Sequence, residues 1–226
     1  MLKLSKLAGL SVMALGLLPI PAAFAATDQQ TVVDRARLTV EDLKRDPEFG
    51  TARDLLHRAR AILIVPRLFK AGFFFGGEGG KGILLVRAPS GAWSAPAFYT
   101  IGSASFGLQI GVEQSEMVLF VMSEKALDAV MQKQFKIGAD AGFAVVTLGS
   151  NVEGATTAAA GADIVTWASS SGAYAGISLN GSIIAPSLDD DRAYYQRAVP
   201  TQQIVYRMSD RDPTGTALRQ ALASVR

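Results

Sequence analysis

Between residues 28 and 46 apolar side chains fall at Val32, Val33, Ala36, Leu38, Val40 and Leu43, with charges between them. That stripe predicts an amphipathic helix. Asp46-Pro47 ends it, because the residue before proline is pushed out of the α region. A second stripe, Ala52, Leu55, Leu56, Ala59, Ile62 and Leu63, predicts another helix, capped by Thr51 and bounded by Pro66. The N-terminal segment over about 28–64 therefore reads as helical. Arg53, Arg58 and Arg60 lie off this second stripe.

From Phe73 onward the period changes. Residues 83–86 form a short apolar run that suits a buried strand, the turn sequence Ala-Pro-Ser-Gly follows at 88–91, and Trp93 opens another strand. Phe106, Leu108, Ile110 and Val112 alternate with Gly107, Gln109 and Gly111, a period of two. Residues 117–122 are wholly apolar, and the intervening 113–116 suit a hairpin loop. Ser123 can cap a helix over 124–131. Further strands are expected over 141–148, 164–167 and 173–184, with a small-residue loop over 149–161. Short helices are expected over 188–195 and after Pro213. Glycines beside so many strands imply strong curvature. The pattern predicts an α+β fold: a largely antiparallel, strongly curved or barrel-like sheet with N-terminal amphipathic helices and short peripheral helices.

Composition narrows the picture. Lys3 and Lys6, the apolar run over 7–18, Pro19, Pro21 and Ala23-Phe24-Ala25 form a secretory signal pattern, so residues 1–25 are expected to be removed and 26–226 to form a single domain. The two lysines of that segment account for the net charge of +2. The remainder is neutral, which disfavours general nucleic-acid binding, so any anion site must be a local patch. No cysteine is present, so no disulfide supports the fold. The expected location is the periplasm, with peripheral membrane association.

Candidates for chemistry are few. His57 is the one histidine and sits among arginines, without a carboxylate partner at triad spacing. Zinc needs three or four nitrogen or sulfur ligands. Gly79-Gly80-Lys81-Gly82 fails the phosphate-loop pattern, since Phe75 stands where the first glycine is required and Gly82 follows the lysine. Asp189-Asp190-Asp191 lacks the spacing of a calcium loop and suits a first helical turn. Asn180-Gly181-Ser182 fits a glycosylation sequon formally and reads as a turn. No enzyme activity, metal or cofactor is expected.

The remaining candidate is a basic patch. Residues 50–70 hold Arg53, Arg58, Arg60, Arg67 and Lys70 against Asp54 alone. This stretch runs into a Phe/Gly-rich segment expected to form a loop, with Phe69, Phe73, Phe74 and Phe75, six glycines over 72–82, and Lys81. A basic amphipathic helix is how peripheral proteins sit on anionic bilayers. Each cation near such a surface contributes about 1 kcal/mol. A phenylalanine that inserts adds roughly 1.5–3 kcal/mol. The other reading is that the stripe packs on the sheet and the arginines are merely solvated. The expected lipid-binding residues are Arg53, Arg58, Arg60, Arg67, Lys70, Phe73, Phe74 and Lys81.

In order along residues 30–210, the chain carries the helix 53–61 running into Ile62-Leu-Ile-Val-Pro66, Lys70-Ala-Gly72, the glycine run 76–82, Trp93-Ser-Ala-Pro96, the segment 111–119, Lys136-Ile-Gly-Ala-Asp140, the segment 174–181, and 189–195. With these motifs it resembles the SYLF-domain family of lipid- and actin-binding modules. The resemblance implies phosphoinositide binding through a basic N-terminal helix, and actin binding in some members. A secreted protein meets neither ligand. Anionic phospholipid is then the expected partner, or alternatively an envelope protein, with the domain acting as an interaction or structural module.

Overall fold

The computed structural model describes residues 27–45, 49–72, 75–106, 111–132, 134–137, 145–148, 162–170, 181–207, 212 and 214–225. Helices α1 (Asp28–Arg45) and α2 (Phe49–Arg58) lead into strands β1 (Ala61–Gly72), β2 (Phe75–Val86), β3 (Ala97–Phe106) and β4 (Gly111–Val121). Then follow α3 (Glu124–Val130), β5 (Phe135–Lys136), β6 (Val145–Leu148), β7 (Ile164–Ser170) and β8 (Ile183–Pro186). Helices α4 (Leu188–Tyr195), α5 (Thr201–Arg207) and α6 (Thr216–Ala223) complete the chain. The fold is α+β. The sheet runs β5-β8-β3-β2-β1-β4-β7-β6, antiparallel except for the β6–β7 pair. It curls into a half-barrel, with β5 and β6 as its outermost described strands.

Helix α1 follows most of the expected stripe, burying Val33, Ala36, Val40 and Leu43, while Leu38 faces outward at 49% exposure. Ser123 caps α3 through a hydrogen bond from the Ala126 amide. The turn at 88–91 closes with Gly91 at a φ of 84°, a conformation that favours glycine. Adjacent residues of β3 face opposite ways. Phe98 meets the Tyr194 ring of α4 at 5.1 Å between centroids, whereas the Tyr99 hydroxyl donates to the Val130 carbonyl of α3. The sheet is thus sandwiched, with α1 and α4 on one face and α3 on the other.

Four expectations need correction. The second helix ends at Arg58 instead of continuing to about residue 64, and Ile62 and Leu63 belong to β1. Residues 61–65 are buried throughout, and such a run is ambiguous by period alone; its β-branched members favour a strand covered on both faces. Pro66 lies inside β1 rather than bounding it. The glycine-rich run is strand β2, not a loop, and 113–116 lie within β4. Helix α5 has no counterpart in the sequence reading. The expected loop over 149–161 and most of the expected strand over 173–184 lie outside the described residues, as does the signal segment.

Candidate functional site

Pro66 organises the site. It sits in a central strand, flanked by β2 and β4, yet has no N–H for the ladder. The chain answers with a bulge: the register shifts between Ile64 and Arg67 against β2, and between Val65 and Leu68 against β4. Beyond the bulge β1 alternates. Leu68 is buried, while Arg67 and Phe69 point outward, Phe69 at 46% exposure. Gly80 is required opposite the bulge, because a Cβ there would overlap the Arg67 carbonyl oxygen.

Arg67 pairs in register with Lys81, and Lys81 with Thr100, so three exposed polar side chains cross β1, β2 and β3 in one row. Helix α1 passes beside this row and adds Thr31, Val32 and Arg35. Between them lies a groove of about 480 Å³, with Arg35, Arg67 and Lys81 as its cations and Phe69 and Val32 as apolar wall.

Asp190 ties the groove to α4. Its Oδ1 accepts from Lys81 Nζ and from Gln29 Nε2, each at 2.8 Å, and its Oδ2 accepts from the Ser187 hydroxyl at 2.7 Å. Burial works to raise the Asp190 pKa, but these hydrogen bonds and the Lys81 charge outweigh it and hold the carboxyl below its ordinary range. Asp191 behaves in the opposite way. It is fully buried, and desolvation pushes its pKa up to about 7, helped by the charge of Asp190 and opposed by the Phe98 amide bonded to Oδ1 at 2.8 Å. Its Oδ2 has no hydrogen-bond partner among the described residues. The acidic run therefore does more than complement a helix dipole: two of its three carboxylates are buried links between α4 and the sheet.

The other expected lipid-binding residues lie elsewhere or outside view. Ala52, Leu55 and Leu56 of α2 are buried in the core, so the apolar stripe of the basic helix is docked on the protein. Arg53 faces out beside Asp54 at 3.8 Å, Arg58 is exposed in the last turn, and Arg60 lies beyond the helix, 3.2 Å from Glu124. Arg60 and Arg67 are seven residues apart along nearly continuous strand, roughly 23 Å at about 3.3 Å per residue. The structure brings Arg67 and Lys81 together and sets the α2 arginines apart from them. Lys70 stands in β1 in register with Glu78 and Glu113. Phe73 and Phe74 lie outside the described residues. His57 is exposed, and its carbonyl accepts from Arg87.

Arg35 and Asp190 escaped the sequence reading. Arg35 is one charge among many on α1, and only the crossing of α1 over the sheet selects it. A second groove, about 710 Å³, runs past Leu188, Arg192 and Val199, with Arg192 as the one charged side chain among the described residues that line it. Among the described residues no three His, Cys, Asp or Glu side chains gather as metal ligands. No helix among them is long and apolar enough to cross a membrane.

Comparison with known proteins adds family information. Residues 102–225 match the profile of Ysc84, described as Las17-binding protein actin regulator. The chain is 27% identical over 207 residues to human SH3 domain-containing YSC84-like protein 1, an alignment covering 91% of this chain and 60% of that protein. The Xenopus laevis protein of the same name is 30% identical over 178 residues, covering 78% of this chain and 53% of the relative. LAS seventeen-binding protein 3 of Saccharomyces cerevisiae is 28% identical over 184 residues, covering 78% and 39% respectively. The chain thus spans between 39% and 60% of the length of these relatives.

Proposed function

The chain belongs to the Ysc84 family, the SYLF-domain family its motifs resemble, and from that membership we propose that it is a non-enzymatic binding module that docks on anionic phospholipid surfaces. The observation that carries this reading is the groove itself. Arg35, Arg67 and Lys81 converge from α1, β1 and β2 beside a half-exposed Phe69. Cations around an apolar side chain match an interface where phosphate lies over alkyl chains. Three cations at about 1 kcal/mol each give only weak attachment. Burial of Phe69 adds roughly 1.5–3 kcal/mol, enough to make the contact useful. Arg53, Arg58 and Arg60 form a second cationic surface. The N-terminal signal pattern supports a periplasmic site for this activity, against envelope lipid.

The test is flotation of the purified protein with neutral or anionic vesicles at low and moderate salt. Binding to anionic vesicles alone, weakened by salt, is expected. The triple substitution Arg35→Gln, Arg67→Gln, Lys81→Gln should abolish it, and a folded triple variant that still floats sinks the reading. A second reading draws on the family's description and the yeast relative's name, both of which name Las17 binding. On that reading the same surface docks an envelope protein. It predicts no flotation and capture of a partner that the triple variant loses.

A further inference from the structure

We propose that the sheet surface continuing from the groove is a trough for the alkyl chain of an anionic amphiphile whose phosphate is held at Arg67 and Lys81. This rests on the lipid-binding reading and specifies which part of the lipid the protein grips. Two residues beyond the row of Arg67, Lys81 and Thr100, the next row on the same face is Phe69, Gly79, Gly102 and Ile183, in register across β1, β2, β3 and β8. Phe69 and Ile183 are exposed at 46% and 36%. They stand three strand spacings apart, about 14 Å. Between them the floor is backbone, and along β2 it continues to Gly77. From Lys81 to Gly77 the floor runs four residues, roughly 13 Å. The alternate residues face the other way: Ile101 and Ile184 are buried, and the Glu78 carboxylate accepts from the Ser182 hydroxyl at 2.8 Å.

The two floor glycines are not demanded by the fold. A Cβ at Gly79 would lie 3.8 Å from its nearest neighbour, and one at Gly102 would lie 3.5 Å from its own, ordinary contact distances. Neither has a positive φ. Gly80 and Gly82, on the face packed against the core, differ: a Cβ there would press into β1. Glycine in a strand costs stability, so two uncrowded examples side by side keep an outward surface bare. A bare floor, two exposed apolar walls and a cationic head describe an amphiphile with an anionic end. Charge complementarity selects that occupant over a neutral one: three cations stand at the head, and the Asp190 carboxylate offsets one of them.

The experiment is calorimetric titration of the whole protein with butyl, octyl and dodecyl phosphate below their micelle concentrations, alongside vesicle flotation. Each buried methylene adds about fourfold in affinity, so octyl phosphate should bind at least roughly tenfold tighter than butyl phosphate. Gly79→Leu and Gly102→Leu fill the floor. Each should erase the gain from chain length. If either fails to fold, Ile183→Asn removes a wall and should reduce the gain. Anionic vesicles that float the protein while affinity ignores chain length overturn the trough and leave the lipid-surface reading standing. Retention of the full gain in the folded variants overturns the trough likewise. Absence of binding to every alkyl phosphate and every vesicle overturns both.

Discussion

Asp190 Oδ1 accepts from both Lys81 and Gln29, so any anion that takes Lys81 competes with a carboxylate already in place. Asp190→Asn keeps an acceptor for Gln29 and releases one full cation. Lys81 is about half exposed, so the ion pair itself contributes no more than about 1 kcal/mol. A freed cation near an anionic surface is worth a similar amount, about fivefold in affinity. We expect Asp190→Asn to float with anionic vesicles several-fold more tightly at low salt; unchanged or weaker binding would remove Lys81 from the site. Asp191 gives a prediction about pH. Its folded pKa of about 7 lies above the unfolded value of about 3.9. The folded state therefore binds more protons through this group, and its contribution to stability falls as pH rises from about 4 to 7. Asp190, held low, contributes in the opposite sense, losing stability as pH falls below the ordinary carboxylate range. Comparing Asp191→Asn with the parent protein cancels the Asp190 part. The variant should gain thermal stability relative to the parent at pH 8 more than at pH 5, and parallel pH profiles of Tm would refute the buried-acid account.

The bulge at Pro66 is an element-level device, and glycine substitutions around it separate packing from surface. Gly80→Ala must push back the Arg67 backbone, since the added Cβ overlaps its carbonyl oxygen. A loss of about 1–3 kcal/mol is expected, as for other overpacking. Gly79→Ala, one residue away on the opposite face, has room. It should be neutral or stabilise by up to about 1 kcal/mol. Urea midpoints for the two variants measure the contrast, and equal midpoints would contradict the assigned faces. The same bulge explains what was legible in the sequence. Helix α1 announced itself because its stripe has one buried face, and α3 because Ser123 is a local cap. The start of β1 did not, because residues buried on both faces carry no period. Nor did β2, since glycine repeats signal turns unless a neighbouring strand is known to run alongside. Arg67 and Lys81 were legible as cations, but their meeting depends on a pairing register that a bulge shifts. Arg35 joins them only through the path of α1 across the sheet, which no local pattern encodes.

Among the described residues, two sets of candidate lipid-binding cations stand apart: Arg53, Arg58 and Arg60 near the start of β1, and Arg35, Arg67 and Lys81 around the groove. Their separation of roughly 23 Å along β1 exceeds the Debye length of about 8 Å at physiological salt. The groups therefore act independently, and a flat membrane need not meet both. Only the groove group adjoins an outward Phe69, whereas the apolar side of α2 is buried in the core. Arg53 and Arg60 also stand near acidic side chains, Asp54 and Glu124, which weaken their pull on an anionic surface. Neutralising Arg53 and Arg58 together should thus lower flotation with anionic vesicles only slightly at moderate salt, while neutralising Arg35 and Arg67 should remove most of it. Lowering the ionic strength lengthens the reach of the α2 arginines, so the deficit of the α2 variant should grow at low salt. A reversed ranking, with the α2 variant the more impaired at moderate salt, would mean that the protein meets the membrane by its helical end and that the groove serves another ligand.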